Sequence, residues 1–142
     1  MTEPASTPPG TTGPVVVGFV PTAQGRAALE HAVAEARLRG TRLVVVNSAG
    51  SDGFADPKRA GEEDVEALRE VAAAGGVEYE LRQLGSQRSP SEHLVTVAEE
   101  VAASVLVIGI RQRSAVGKLI MGSNAQRVLL DATVPVLAVK AR

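Results

Sequence analysis

Five short strand-like runs, each separated from the next by a helical pattern, leave this chain few folds to choose from. The runs are residues 15–20, 43–47, 77–83, 105–108 and 136–139. All but the third are nearly continuous in Val, Leu and Ile, as strands covered on both faces are. The third, Val-Glu-Tyr-Glu-Leu-Arg-Gln, alternates and reads as an edge or half-exposed strand. Strands joined through single helices must run parallel, with right-handed crossovers. The expected architecture is therefore α/β: one doubly wound open sheet of five parallel strands flanked by four helices.

The helices announce themselves by spacing and by their ends. Ala28, Leu29, Ala32, Val33 and Ala36 form one stripe that stops at Gly40. Val65, Leu68, Val71 and Ala72 form a second, stopped by Gly75 and Gly76. Ser89, Pro90 and Glu92 make a capping box with proline in the first turn, ahead of Leu94, Val95, Ala98 and Val101. Ser123 and Gln126 have the spacing of another box, with Ser123 as the cap, and Pro135 prevents that helix from running on. Residues 1–14 hold four prolines among Ser, Thr and Gly and read as a disordered tail, with the domain spanning 15–142.

Bulk properties remove several classes of function. Acidic and basic residues nearly cancel, for a net charge of −1, so no global field points to nucleic acid or an anionic membrane. Absence of cysteine excludes disulfides and thiol chemistry. No apolar run approaches the ~18 residues needed to span a bilayer, and no signal-peptide pattern is present, so a soluble, cytoplasmic protein is expected. Three aromatic residues give base stacking little to work with. His31 and His93 lie on predicted helices beside glutamates, without metal-ligand spacing, and receive no role.

The stretch 109–123, Gly-Ile-Arg-Gln-Arg-Ser-Ala-Val-Gly-Lys-Leu-Ile-Met-Gly-Ser, carries the chemistry. It leads from the fourth strand through a basic loop to a glycine and the start of a helix. Unpaired amides and the positive dipole end at such a start favour an anion, and glycines let backbone approach it. Gly122, Ser123 and Asn124 are the candidate phosphate donors. Arg111, Arg113 and Lys118 add cations, arginine being suited to two-pronged contact with phosphate. Gly117-Lys118 is not a P-loop, since Leu119 follows it. Val20, Val46 and Ile108 offer an apolar slot at the strand ends. No nucleophile stands near a general base, so catalysis is not assigned.

Over residues 15–140 the pattern resembles the universal stress protein family. Its nucleotide-binding members carry a glycine, two residues, a second glycine, nine residues, then Gly-Ser or Gly-Thr. Gly109, Gly122 and Ser123 fall at matching positions, with Gln112 in place of the second glycine. The opening Val15-Val-Val-Gly18 and the ending Thr133-Val-Pro-Val-Leu-Ala-Val139 are also similar. Val20 stands where such members have an aspartate that contacts the nucleoside. The resemblance implies an adenine-nucleotide alpha-hydrolase-like sheet of order 3-2-1-4-5. It implies an adenine nucleotide such as ATP, with Mg or Mn on its phosphates, held near Gly18, Val20, Asn47, Gly109, Arg111, Gln112, Arg113, Gly122, Ser123 and Asn124. It further implies a stress-response homodimer paired through strand 134–139. The alternative is a nucleotide-free member that acts through protein–protein contact, which Val20 and Gln112 favour.

Overall fold

The structure, a computed structural model, describes residues 13–48, 60–85, 87–111 and 121–141. The expected tail (save residues 13 and 14), most of the loop after the second strand, and Gln112, Arg113 and Lys118 lie outside them. Five strands alternate with four helices: β1 (Val15–Gly18), α1 (Ala23–Arg39), β2 (Leu43–Ser48), α2 (Glu62–Gly75), β3 (Tyr79–Leu84), α3 (Pro90–Glu100), β4 (Val105–Arg111), α4 (Ser123–Asp131) and β5 (Val136–Ala141). All four strand pairs are parallel and the sheet order is β3-β2-β1-β4-β5. The chain steps outward from β1 in one direction and from β4 in the other, which puts the topological switch point between those two strands.

Alternation along the strands divides the core in two. Val15, Val17, Leu43, Val45, Val105 and Val107 face Ala28, Leu29, Ala32, Val33 and Leu68 of α1 and α2. Val16, Val44, Val46, Leu106 and Ile108 face Leu94, Val97 and Ala98 of α3 and Val128 of α4. The three inner strands are thus buried on both sides, which is why their sequences read as unbroken apolar runs. β3 and β5 are the edges.

Helix ends follow local chemistry. Gly40 adopts φ 66°, a left-handed cap, and its N–H reaches the carbonyls of Ala36 and Arg37. Gly76 does the same for α2, also at φ 66°. The Ser89–Glu92 capping box forms as its spacing predicts: Glu92 N–H donates to Ser89 Oγ at 3.3 Å, and Ser89 N–H donates to Glu92 Oε1 at 3.2 Å.

Several boundaries depart from expectation. β3 begins at Tyr79 rather than Val77, because the Val77 amide is taken by the carbonyl of Ala72 at the end of α2, at 3.0 Å. β1 ends at Gly18 because the chain folds back at once: Thr22 N–H donates to the Val20 carbonyl at 2.8 Å. Ser123 does not cap α4. The cap is Gly122, Ser123 is the first helical residue, and Gln126 donates to the carbonyl of Met121 at 3.1 Å rather than closing a box.

Candidate functional site

A cleft of about 460 Å³ opens at the carboxyl ends of β1, β2 and β4, on the face covered by α3 and α4. Its floor is apolar: Val20, Val46 and Ile108 all line it, with Leu94 and Val128 behind. Gly18 lines it as well, and a Cβ there would come within 2.8 Å of a Leu94 methyl, so the glycine gives α3 room to pack close over β1. The three residues of the slot expected from the sequence therefore line one depression.

Helices α1, α3 and α4 all begin at this cleft, through Thr22 and Gln24, Pro90, and Gly122 to Ala125 respectively. Each start carries orphan amides. Thr22 Oγ1 accepts from Gly25 N–H at 3.2 Å, so α1 is capped. The start of α3 is capped by Ser89 and also carries its own anion. The backbone N–H of Ser89, then its hydroxyl, holds the Glu92 carboxyl below its ordinary value of 4.5. A further amide of α3, Ser91 N–H, donates to Asn124 Oδ1 at 3.3 Å, which ties α3 to α4. α4 differs. Its cap residue is glycine, no side chain caps it, and the amides of Ser123 and Asn124 meet no acceptor among the described residues. Arg111, exposed at the end of β4, borders the same region and makes no ion pair among the described residues. One end of the cleft thus combines helix-start amides with no acceptor among the described residues, a hydroxyl and a cation.

Two glycines of the loop sit in contrasting surroundings. Gly109 lines the cleft, but a Cβ on it would collide with the backbone carbonyl of Gln24 at the start of α1. Gly122 has φ −69° and ψ 164°, which any residue adopts, and a Cβ there would meet nothing within 4 Å. Neither conformation nor packing calls for glycine at 122. Open space beside uncapped amides is what an anion needs for close approach.

Of the expected site residues, Gly18, Val20, Gly109, Arg111, Gly122, Ser123 and Asn124 come together around the cleft. Gln112 and Arg113 lie outside the described residues. Asn47 does not line the cleft with the others. Strand alternation turns its side chain to the opposite face, where Nδ2 donates to the Phe19 carbonyl at 2.9 Å and Oδ1 accepts from Ala60 N–H at 2.9 Å. Gln83 Nε2 donates to the same oxygen at 3.3 Å. Its amide group ties the end of β2 to Phe19, Ala60 and Gln83 instead of facing the cleft.

Three features escaped sequence reasoning. Thr22 is a capping residue at the mouth of the cleft, signalled only by its place before an alanine-rich helix. His93 is buried rather than solvated, and its Nε2 donates to the Gly85 carbonyl at 2.8 Å, fixing the turn into α3. Ser48, the last residue of β2, lines the cleft although strand 2 was expected to end at Asn47.

Residues 12–140 match the universal stress protein family. A universal stress protein of Mycolicibacterium smegmatis is 42% identical over 127 residues, covering 89% of this chain and 96% of that protein. The solved universal stress protein of Archaeoglobus fulgidus is 35% identical, with a TM-score of 0.70 over 90% of this chain and 98% of that one. A structure of the Archaeoglobus fulgidus universal stress protein in complex with dAMP is 29% identical, with a TM-score of 0.67 and the same coverage, 90% and 98%. With sequence, sheet order and solved relatives in agreement over nearly the whole chain, this protein belongs to the universal stress protein family.

Proposed function

We propose that the cleft binds an adenine nucleotide, its base on the apolar floor of Val20, Val46 and Ile108 and its phosphates at the start of α4. The observation that carries this reading is the contrast among the three helix starts: α1 and α3 have their caps, and α4 presents uncapped amides beside Arg111. The open space at Gly122 and the dAMP complex of an Archaeoglobus fulgidus relative support it. ATP is the form whose longer phosphate chain best uses Ser123, Asn124 and the basic residues 111–118. Mg or Mn would be held by the phosphate oxygens, with the Ser123 hydroxyl a protein oxygen available at that helix start.

The wider role that follows is a regulatory module: a cytoplasmic, dimeric stress-response protein that reports nucleotide state to a protein partner. β5 supports the dimer, being a sheet edge with no charge before Lys140. Near-neutral charge supports a partner other than nucleic acid. Valine at position 20 favours a second reading, a nucleotide-free member whose cleft serves only the fold. Calorimetric titration of nucleotide-free protein with ATP and with dAMP separates the two. Saturable heat supports the first reading, and no heat at millimolar nucleotide rejects it in favour of the second.

A further inference from the structure

We propose that the Ser48 hydroxyl is a specificity-determining group that hydrogen-bonds the polar edge of the base, a role that rests on the nucleotide reading above. Ser48 is 6% exposed, and its Oγ has no hydrogen-bond partner among the described residues. A buried hydroxyl left unpaired destabilises the protein that holds it. The four residues that open β2, Leu43 to Val46, are apolar, and a valine would continue the strand at 48 without that cost. Nothing among the described residues meets it, and the side chain is left to a group that binds in the cleft.

Its position says what that something is. Strand alternation puts Ser48 on the face of Val44 and Val46, the face on which the cleft lies, and it lines that cleft. The register of β1 with β2 pairs Gly18 with Val46, and Phe19 N–H donates to the Val46 carbonyl at 2.9 Å. Val20 and Ser48, each two residues beyond that pair, both line the cleft. Across the sheet, β2 lies on one side of β1 and β4 on the other. A nucleotide whose phosphates sit where β4 leads into α4 therefore extends over β1 with its base toward β2. Val20 offers that base only a methyl surface. The Thr22 hydroxyl already accepts from Gly25 N–H. The Ser48 hydroxyl both donates and accepts, which suits an adenine edge where an exocyclic amine adjoins a ring nitrogen.

The test uses the full chain with Ser48→Ala, Ser48→Val and Ser48→Thr, each titrated calorimetrically with dAMP and each melted without nucleotide. Ala and Val are expected to weaken dAMP binding about 3- to 10-fold, the worth of one hydrogen bond, while Thr retains it. The nucleotide-free melting temperature of Ser48→Ala is expected to match or exceed that of the unaltered protein, because an unpaired buried hydroxyl has been removed. Equal dAMP affinity for Ser48→Ala and the unaltered protein overturns the role of Ser48 and leaves the cleft reading intact. A lower melting temperature for nucleotide-free Ser48→Ala also overturns it, by showing that the hydroxyl already has a structural partner. No dAMP heat from the unaltered protein overturns the cleft reading itself, and the Ser48 role with it.

Discussion

Gly109 and Gln24 touch backbone to backbone. The carbonyl of Gln24, in the first turn of α1, lies where a side chain on Gly109 would have to go, at the point where β4 passes under that helix. Gly25, next along α1, is under the same constraint from the carbonyl of Val20. Glycine within a helix costs about 1 kcal/mol relative to alanine, and here the close crossing of α1 over the strand ends accounts for it. The start of α1 is seated directly on the sheet, and that seating shapes one wall of the cleft.

Gly109→Ala and Gly25→Ala should each destabilise the fold. Neither Cβ can be accommodated by rotating a flexible side chain, since the obstacle is backbone. Overpacking of this kind costs about 1–3 kcal/mol. Urea unfolding measures it, as a lowered midpoint at unchanged slope.

Gly122→Ala should behave in the opposite way. Its backbone is ordinary and the space around it is open, so the stability change should stay within about 1 kcal/mol, the scale of a glycine-to-alanine change at a helix cap. Nucleotide affinity should fall, because the new methyl group occupies the approach to the α4 amides. Melting temperature and calorimetric affinity measured on the same sample check both halves.

Asn47→Ala should be among the more damaging substitutions. Asn47 is fully buried, and its loss leaves the Phe19 carbonyl and the Ala60 amide without the partner it provides. Two such buried groups put the expected cost at about 2–4 kcal/mol. The loop after β2 should also become more susceptible to protease, which limited digestion reads directly.

Acid should weaken the fold through two carboxylates. Hydrogen bonding from Arg82 first, then the charges of Arg82 and Arg42 against some desolvation, holds Glu80 below 4.5. Glu92 is lowered by the backbone amide and hydroxyl of Ser89. Both folded values lie below the unfolded ones. The stability they contribute is therefore complete above about pH 5–6 and lost as pH falls through the folded values. Both groups are exposed, so the effect is modest. Urea midpoints between about pH 6 and 3 should fall less steeply for Glu80→Gln/Glu92→Gln than for the unaltered chain, and equal slopes would contradict this.

Much of the fold was legible because its physics is local or periodic. Doubly covered strands must be apolar throughout, and the runs at 15–20, 43–47 and 105–108 showed it, while the equally apolar run at 136–139 lies at a sheet edge with Ala138 exposed. The Ser89–Glu92 box and the stops at Gly40 and Gly76 follow from single residues with one conformational talent each. What was hidden depended on tertiary contact. The burial of His93 depends on where Gly85 comes to lie. Gly109 looks like a ligand-binding glycine in sequence, and only the crossing of α1 shows that packing requires it too. Strand alternation already separated Asn47 from Ser48, one turned to α1 and α2, the other to the cleft.

The most direct test of the central claim is an amide NMR titration of isotope-labelled protein with dAMP. Nucleotide in the cleft predicts saturable shifts centred on Gly18, Val46, Ser48, Gly109, Ser123 and Asn124, with the amides of α2 and β3 little changed. Unmoved spectra at millimolar dAMP, or shifts confined to residues away from the start of α4, would contradict it.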